Sequence, residues 1–93
     1  MELKLGDKTY TANTVKARMF RKAIEINEKI NFEKLKASDL DELVDFVAEF
    51  YGNKFSRDEL YDLLPADKLM SVLSESINGI VGGVTEKLET KNE

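Results

Sequence analysis

Near the start of the chain, hydrophobic and polar side chains alternate with a period of two. Leu3 and Leu5 alternate with charged residues, and Tyr10 stands between two threonines. Such alternation is typical of half-buried β-strands. A two-residue turn that begins with glycine, at Gly6, would set Leu3 opposite Tyr10. The pattern therefore predicts a β-hairpin over residues 2–12, which must pack on another element because an isolated hairpin is only marginally stable in water.

After the hairpin, hydrophobic residues recur at the spacing of an α-helix. Residues 14–31 carry apolar side chains on one face and mostly charged side chains on the other, which predicts an amphipathic helix. Its apolar positions are Met19, Phe20, Ala23, Ile24, Ile26 and Ile30. A second amphipathic helix is predicted to follow Ser38, a favourable N-cap. We expect that helix to end at Gly52, since glycine readily adopts the left-handed conformation that terminates helices.

The next residues predict a short third helix and a sharp entry into a fourth. Ser56 can cap the third helix while Glu59 bonds back to the backbone, which together form a capping box. Phe55 can pack on Leu60 as a hydrophobic staple. Pro65 cannot continue this helix but suits the first turn of the next one. Residues 52–55 form the joint between the second and third helices. The local signals predict that the third helix leaves this joint at a defined angle.

The fourth helix is predicted from apolar residues at helical spacing as far as Ile77. Glycines at 79, 82 and 83 weaken the pattern beyond that point, because each costs about 1 kcal/mol relative to alanine. We expect one ordered domain over residues 1–80 and a frayed or disordered tail over residues 81–93. The predicted fold is mainly α, with an N-terminal β-hairpin packed on a small bundle of about four helices.

The composition excludes several classes of function. The chain has 93 residues, enough for one domain, and contains neither Cys nor His. It therefore lacks thiolate ligands, the commonest metal-binding side chain and the usual general base near neutral pH. Its acidic clusters fall at predicted helix starts, where capping and the helix dipole explain them. We predict no catalytic residue, no metal site and no cofactor, and no apolar run is long enough to span a membrane.

The net charge of −4 conceals an uneven distribution. Residues 14–36 hold seven cationic side chains against three acidic ones, whereas residues 37–93 hold five against thirteen. Such asymmetry can mark a partner site or head-to-tail self-association. The alternative is that two solvated helix faces simply differ in sign.

Two sets of residues are candidates for protein binding. The first is the cationic face of the first helix, which comprises Lys16, Arg18, Arg21 and Lys22. These side chains could also contact phosphates, or they could form a solvated face. The second is the apolar stripe Ile80, Val81, Val84 and Leu88. It either completes the last core helix or provides a strip that binds in a partner's groove.

The motifs around the hairpin and the joint resemble those of a known family. They are Leu3-Lys4-Leu5-Gly6-Asp7-Lys8-Thr9-Tyr10, Val47-Ala48-Glu49-Phe50-Tyr51-Gly52-Asn53-Lys54-Phe55-Ser56, Glu59-Leu60-Tyr61-Asp62 and Leu64-Pro65-Ala66-Asp67-Lys68-Leu69. In these motifs the chain resembles the tail assembly chaperones of long-tailed phages and prophages of Gram-positive bacteria. The resemblance covers most of residues 2–80.

The resemblance implies a non-enzymatic protein that binds the tape measure protein and keeps it soluble until tail tube subunits polymerise around it. It further implies action in the cytoplasm of the bacterial host and absence from the mature virion. Members often exist in a short form and a longer frameshifted form, and the polar C-terminus of this chain suits the short one. The alternative function is a small nucleic-acid-associated regulator that acts through the basic first helix. A hydrolase or transferase is a more distant third.

Overall fold

The computed structural model describes residues 2–12 and 15–92, with side-chain surroundings for those as far as Ile80. Within these residues the chain forms two strands and four helices. They are β1 (Glu2–Leu5), β2 (Lys8–Thr11), α1 (Ala17–Lys29), α2 (Ala37–Phe50), α3 (Arg57–Leu63) and α4 (Ala66–Asn92). This confirms the predicted fold class, in which a hairpin is joined to a small helical bundle.

The two strands form the predicted antiparallel hairpin. Leu3 pairs with Tyr10 in the observed register, and Gly6 has a φ of +61°, the left-handed value that a turn glycine supplies. Leu3 and Leu5 are buried. A Cβ atom at position 6 would lie 3.6 Å from Cδ2 of Leu63, so the tip of the hairpin rests close to the end of α3. The hairpin is thus packed on the helices, as its marginal intrinsic stability requires.

The first helix is shorter than its hydrophobic pattern predicts. It begins at Ala17, and Lys16 precedes it without a side-chain cap, whereas the predicted segment began at residue 14. Met19, Ala23 and Ile26 are buried on its inner face. Ile24 was assigned to the same apolar face and is 37% exposed. That assignment was wrong, because the buried stripe of this helix is narrower than its run of apolar residues.

The start of α2 differs from the prediction that Ser38 is its N-cap. The helix begins at Ala37, and its N-cap is Lys36. The backbone N–H of Lys36 donates to Oδ2 of Asp39 at 3.2 Å. The carboxylate of Asp39 therefore satisfies the backbone N–H of Lys36 at the start of the helix. This bond is the half of a capping box that does not need the side chain of the N-cap residue.

The C-terminal end of α2 is terminated at Gly52, as predicted. Gly52 has a φ of +79°. Its N–H donates to the carbonyl of Glu49 at 3.0 Å, and the N–H of Asn53 donates to the carbonyl of Ala48 at 2.8 Å. These are the two bonds of a Schellman motif, which satisfies carbonyls that a helix end otherwise leaves free. Asn53 also takes a positive φ, +57°, so the chain turns through two successive left-handed residues.

The capping box of α3 is formed in full. The N–H of Glu59 donates to Oγ of Ser56, and the N–H of Ser56 donates to Oε1 of Glu59, each at 3.1 Å. Phe55 and Leu60, the predicted staple, are both buried in the same core. The chain then passes Pro65, whose carbonyl accepts from the N–H of Lys68 at 3.0 Å in the first turn of α4.

The core lies around α2, which contacts both α1 and α4. Its most completely buried large side chains are Leu5, Leu43, Val44, Val47, Leu60 and Leu73. Ser76 is buried as well, and its hydroxyl donates to the carbonyl of Val72 at 2.9 Å, so this polar group is satisfied. The α4 helix extends to Asn92. The predicted frayed tail over residues 81–93 stays a prediction, since the side chains beyond Ile80 lie outside the described part.

Candidate protein-binding groove

The acidic residues on the surface of α2 are paired with neighbouring helices. Arg57, at the start of α3, donates from Nε to Oδ1 of Asp45 at 2.9 Å and from Nη2 to Oδ2 at 2.6 Å. Its Nη1 lies 3.6 Å from Oδ2 of Asp41. The hydroxyl of Tyr61 donates to the other oxygen of Asp41 at 2.7 Å. These bonds hold α3 against α2 from its first turn to its last.

On the opposite side, α1 contributes cations to the same helix. Lys29 donates to Oε1 of Glu42 at 2.8 Å, and Lys22 donates to Oε2 of Glu49 at 2.5 Å. Arg21 pairs with Glu25 within α1. Two members of the predicted cationic binding face, Arg21 and Lys22, are therefore engaged with carboxylates of the same chain.

The shifted pKa values in this region have structural causes. The hydrogen bond from Arg57 lowers the pKa of Asp45 below its usual range. Burial, followed by the hydrogen bond to Asp41, raises the pKa of Tyr61 to about 12. The hydrogen bond with Glu42 raises the pKa of Lys29. These groups are held in their ordinary charge states by pairing, whereas acid–base catalysis needs a group poised near the working pH.

An open groove of about 510 Å³ lies on the surface of the described part of the chain. It lies where the end of the hairpin, the start of α1 and the joint after α2 meet. Val15, Met19 and Phe50 give it apolar surface, and Lys16, Arg18 and Lys54 add three cationic side chains. Met19 and Phe50 are buried and form the floor, whereas Val15 is 41% exposed at the opening.

A ring contact joins two sides of this groove. Tyr10 of β2 and Phe55 of the joint have ring centroids 4.9 Å apart, with their planes tilted by 60°. Aromatic pairs at this separation and tilt attract each other beyond the burial of their surface. The contact fixes the end of the hairpin, at Thr11, relative to the joint at Lys54, and both of these residues line the groove.

The charge of the groove is mainly positive. Lys16, Arg18 and Lys54 are exposed, and no ion pair within the described residues involves them. Glu49 is the acidic residue among the described lining, and Lys22 holds its carboxylate. Within the described residues, the groove therefore presents three cations without an ion-pair partner beside the apolar side chains of its lining. A smaller cavity of about 140 Å³ lies between α1 and α2 and is lined by the paired residues themselves.

The predicted binding residues are divided by this geometry. Lys16 and Arg18 line the groove, while Arg21 and Lys22 form ion pairs with Glu25 and Glu49. Ile80 is 5% exposed and belongs to the core. The side chains of Val81, Val84 and Leu88 lie outside the described residues. The predicted binding role of both sets stays a prediction.

Sequence reasoning predicted a binding role for Lys16 and Arg18 and for no other residue of the groove, so it missed Val15 and Lys54. Val15 precedes the helical face and was assigned to no apolar stripe. Lys54 is the cation of the Gly52–Phe55 joint, and the fold places it in the lining of the same groove as Arg18. Its one signal in the sequence is its position directly after the residues that reverse the chain.

Within the described residues, no helix is long and apolar enough to cross a membrane, and no group of three acidic side chains is placed to hold a metal ion. Comparison with family models decides the identity. A model described as phage tail chaperone protein matches residues 1–93. The chain belongs to the phage tail chaperone family. This non-enzymatic family works on tail proteins, so the partners of the chain are proteins of the phage tail.

The family assignment confirms the resemblance at the level of tail chaperones. Neither the curated proteins nor the solved structures contain a match to the chain. The groove of this tail chaperone is an open depression on the protein surface. Nothing in that geometry requires a reacting group, and the paired acids of α2 act as structural contacts between helices.

Proposed function

We propose that this tail chaperone binds the tape measure protein and keeps it soluble during tail assembly. The observation that carries the proposal is the groove, an open depression with apolar residues in its lining and three cations that form no ion pair within the described residues, in a protein of the tail chaperone family. A protein that protects a long, partly apolar partner needs accessible apolar surface and adaptable side chains, and methionine provides the latter. Met19 lies on the floor of this groove.

The setting of this activity follows from the same proposal. The chain would act in the cytoplasm of the bacterial host, before tail tube subunits polymerise, and would be absent from the mature virion. We place its phage among those that infect Gram-positive bacteria. A very long helical reading frame that follows its gene would support the proposed function.

Co-expression tests the main proposal. The cognate tape measure protein would be produced alone, with this chain, and with an unrelated acidic helical protein of similar size. We expect the soluble fraction of the tape measure protein to rise with this chain alone and the two proteins to co-purify. An equal soluble fraction in all three cultures would contradict the proposal.

Self-association is a second part of the proposal. The uneven charge would let copies line up head to tail along the rod-like partner, with the cationic side of one copy facing the acidic side of the next. Part of this asymmetry is neutralised within the chain by the ion pairs of Lys22 with Glu49 and of Lys29 with Glu42. Sedimentation at low and high salt tests it, and a strict monomer in both conditions would contradict it.

The geometry does not favour the nucleic-acid alternative. Two of the four cations that would contact phosphates are paired with carboxylates, and α2 presents further acidic groups beside them. Retention of generic DNA at low salt, lost on Arg18→Glu and Arg21→Glu, would be needed to support it.

A further inference from the structure

We propose that the groove takes an acidic segment of a tail protein, held by an apolar side chain on the groove floor and by carboxylates on either side. This inference rests on the proposed function, because the segment belongs to the protein that the chaperone protects. It goes further by assigning the binding surface and the charge of the ligand.

The apolar residues in the lining of the groove indicate that the ligand carries an apolar side chain. Met19 and Phe50 expose little surface themselves, while Val15 is 41% exposed directly at the opening. An isolated exposed valine is ordinary on a protein surface. Here it borders a concave site whose volume, about 510 Å³, is within the range of sites that enclose a ligand group. One or a few apolar side chains of a partner would cover Val15 and displace water from the floor.

The sign of the ligand's charge follows from the surrounding side chains. Lys16, Arg18 and Lys54 make no ion pair among the described residues, and Glu49 is already bonded to Lys22 at 2.5 Å. A basic segment would therefore meet three like charges and one carboxylate that is occupied. Like charges placed opposite each other across an interface exclude the wrong partner, whereas opposite charges fix the orientation of the right one.

The end of α2 reinforces this preference. A helix C-terminus usually attracts cations, because its last carbonyls are free acceptors at the negative end of the dipole. In this protein the carbonyls of Ala48 and Glu49 are bonded to the N–H groups of Asn53 and Gly52. The Schellman motif thus occupies two of the four carbonyls that a helix end leaves free. The exposed side chain of Lys54 follows directly after it.

A protein segment fits these observations better than a nucleic acid does. Phosphate binding gains affinity by neutralising many phosphates at once, and the groove offers three cations on a chain whose net charge is −4. Its apolar floor would make no contribution to phosphate contacts. Carboxylates spaced around an apolar residue use both parts of the site.

Peptide binding tests the inference on the full-length chain. The probe is a labelled two-heptad peptide with Leu at its apolar positions and Glu at the flanking positions. A second probe replaces every Glu with Lys, and a third is a short DNA duplex. Fluorescence anisotropy is measured at low and at high salt. We expect the acidic peptide to bind, the basic peptide not to bind, and affinity for the acidic peptide to fall as salt screens the charges.

The groove variant is Arg18→Glu with Lys54→Glu. Its matched control is Lys34→Glu with Lys68→Glu, which makes the same change in net charge at exposed positions outside the groove. We expect the groove variant to lose roughly tenfold or more in affinity for the acidic peptide, because two attractions become repulsions. The control should change affinity by roughly threefold or less. Thermal unfolding of both variants verifies that each is folded.

Three results would overturn the inference. They are equal binding of the acidic and basic peptides, equal effects of the two double variants, and DNA binding stronger than peptide binding with the same sensitivity to Arg18 and Lys54. Failure of the proposed function is distinguishable. If the groove variant keeps the tape measure protein soluble as well as the wild type does, the function stands and this site is wrong. If the acidic peptide binds but the tape measure protein is never protected, the groove chemistry stands and the function is wrong.

Discussion

Arg57 holds Asp45 with two parallel hydrogen bonds, at 2.9 and 2.6 Å, across the interface between α3 and α2. Both side chains are about half exposed, at 43% and 52%. Exposed ion pairs contribute little to stability as a rule, but a bidentate arginine–carboxylate pair is the geometry in which they contribute most. The pair therefore sets the angle between two helices more than it adds to the free energy of unfolding.

This pair predicts a specific dependence of stability on pH. Arg57 lowers the pKa of Asp45 below the usual value of 3.8, so the folded protein holds this carboxylate ionised more readily than the unfolded chain does. The resulting stabilisation is present above pH 3.8, the pKa of Asp45 in the unfolded chain. It is lost as the pH falls through the lower pKa that Asp45 has in the folded protein. We expect Asp45→Asn to be less stable than the wild type at pH 7, with the difference shrinking below pH 4.

Urea unfolding at several pH values checks this expectation. Glu33→Gln is a suitable control, because Glu33 is exposed, lies between α1 and α2, and forms no ion pair within the described residues. A stability difference for Asp45→Asn that is constant from pH 7 to pH 3 would contradict the role assigned to Arg57.

The hydroxyl of Tyr61 gives a second prediction. It donates to Asp41 at 2.7 Å, and its pKa is raised to about 12. A tyrosine whose pKa is raised in the folded protein stabilises the fold at pH values below 10.0, its pKa in the unfolded chain. This contribution is lost as the pH rises through about 12. We expect Tyr61→Phe to cost about 1 kcal/mol at pH 7, the usual net value of such a hydrogen bond.

Absorbance at alkaline pH measures this titration directly. The chain has three tyrosines, and burial raises the pKa of Tyr51 as well, so Tyr61→Phe should reduce the absorbance change near pH 12 by the contribution of one tyrosine. If that change is the same in the variant, the ionisation near pH 12 belongs to another group.

The capping box of α3 gives a third prediction. Ser56→Ala removes the acceptor for the N–H of Glu59 and should lower the free energy of unfolding by about 1 kcal/mol. Ser71→Ala, at an exposed position within α4, should be neutral or slightly stabilising, since alanine is the better helix former. Chemical denaturation of both variants measures the difference, and equal stabilities would show that the cap contributes nothing.

Two glycines in different backbone conformations should respond oppositely to alanine. Gly52 has a φ of +79° and open space where a Cβ would lie, so the cost of Gly52→Ala is backbone strain of about 1–2 kcal/mol. Gly79 is exposed within α4, so Gly79→Ala should stabilise the protein by about 0.5–1 kcal/mol. Thermal unfolding reports both changes, and the same sign for the two variants would refute the distinction.

The features that the sequence predicts correctly depend on residues close together in the chain. The register of Leu3 with Tyr10, the left-handed Gly52 and the Ser56–Glu59 box each arise within ten residues. The start of α2 differs from the prediction because the carboxylate of Asp39 accepts from the N–H of Lys36, and the helix begins at Ala37, before Ser38.

The groove could not be predicted in the same way. Val15, Arg18 and Lys54 come together only when the hairpin, α1 and the joint are packed. The pairing of Lys22 with Glu49, which leaves the groove cationic, joins residues 27 positions apart. Composition indicated a basic first helix, but which of its cations remain available is decided by the acidic face of α2.

The contact between Tyr10 and Phe55 has a consequence for the kinetics of recognition. Because it fixes two walls of the groove before any partner arrives, little side-chain or backbone order needs to be created at the moment of encounter. With a preformed opening, the association rate is governed by diffusion and electrostatic steering. Differences in affinity between partners then arise mainly from their dissociation rates. A chaperone that must later give up its client would then release it without having to unfold or remodel its own binding surface.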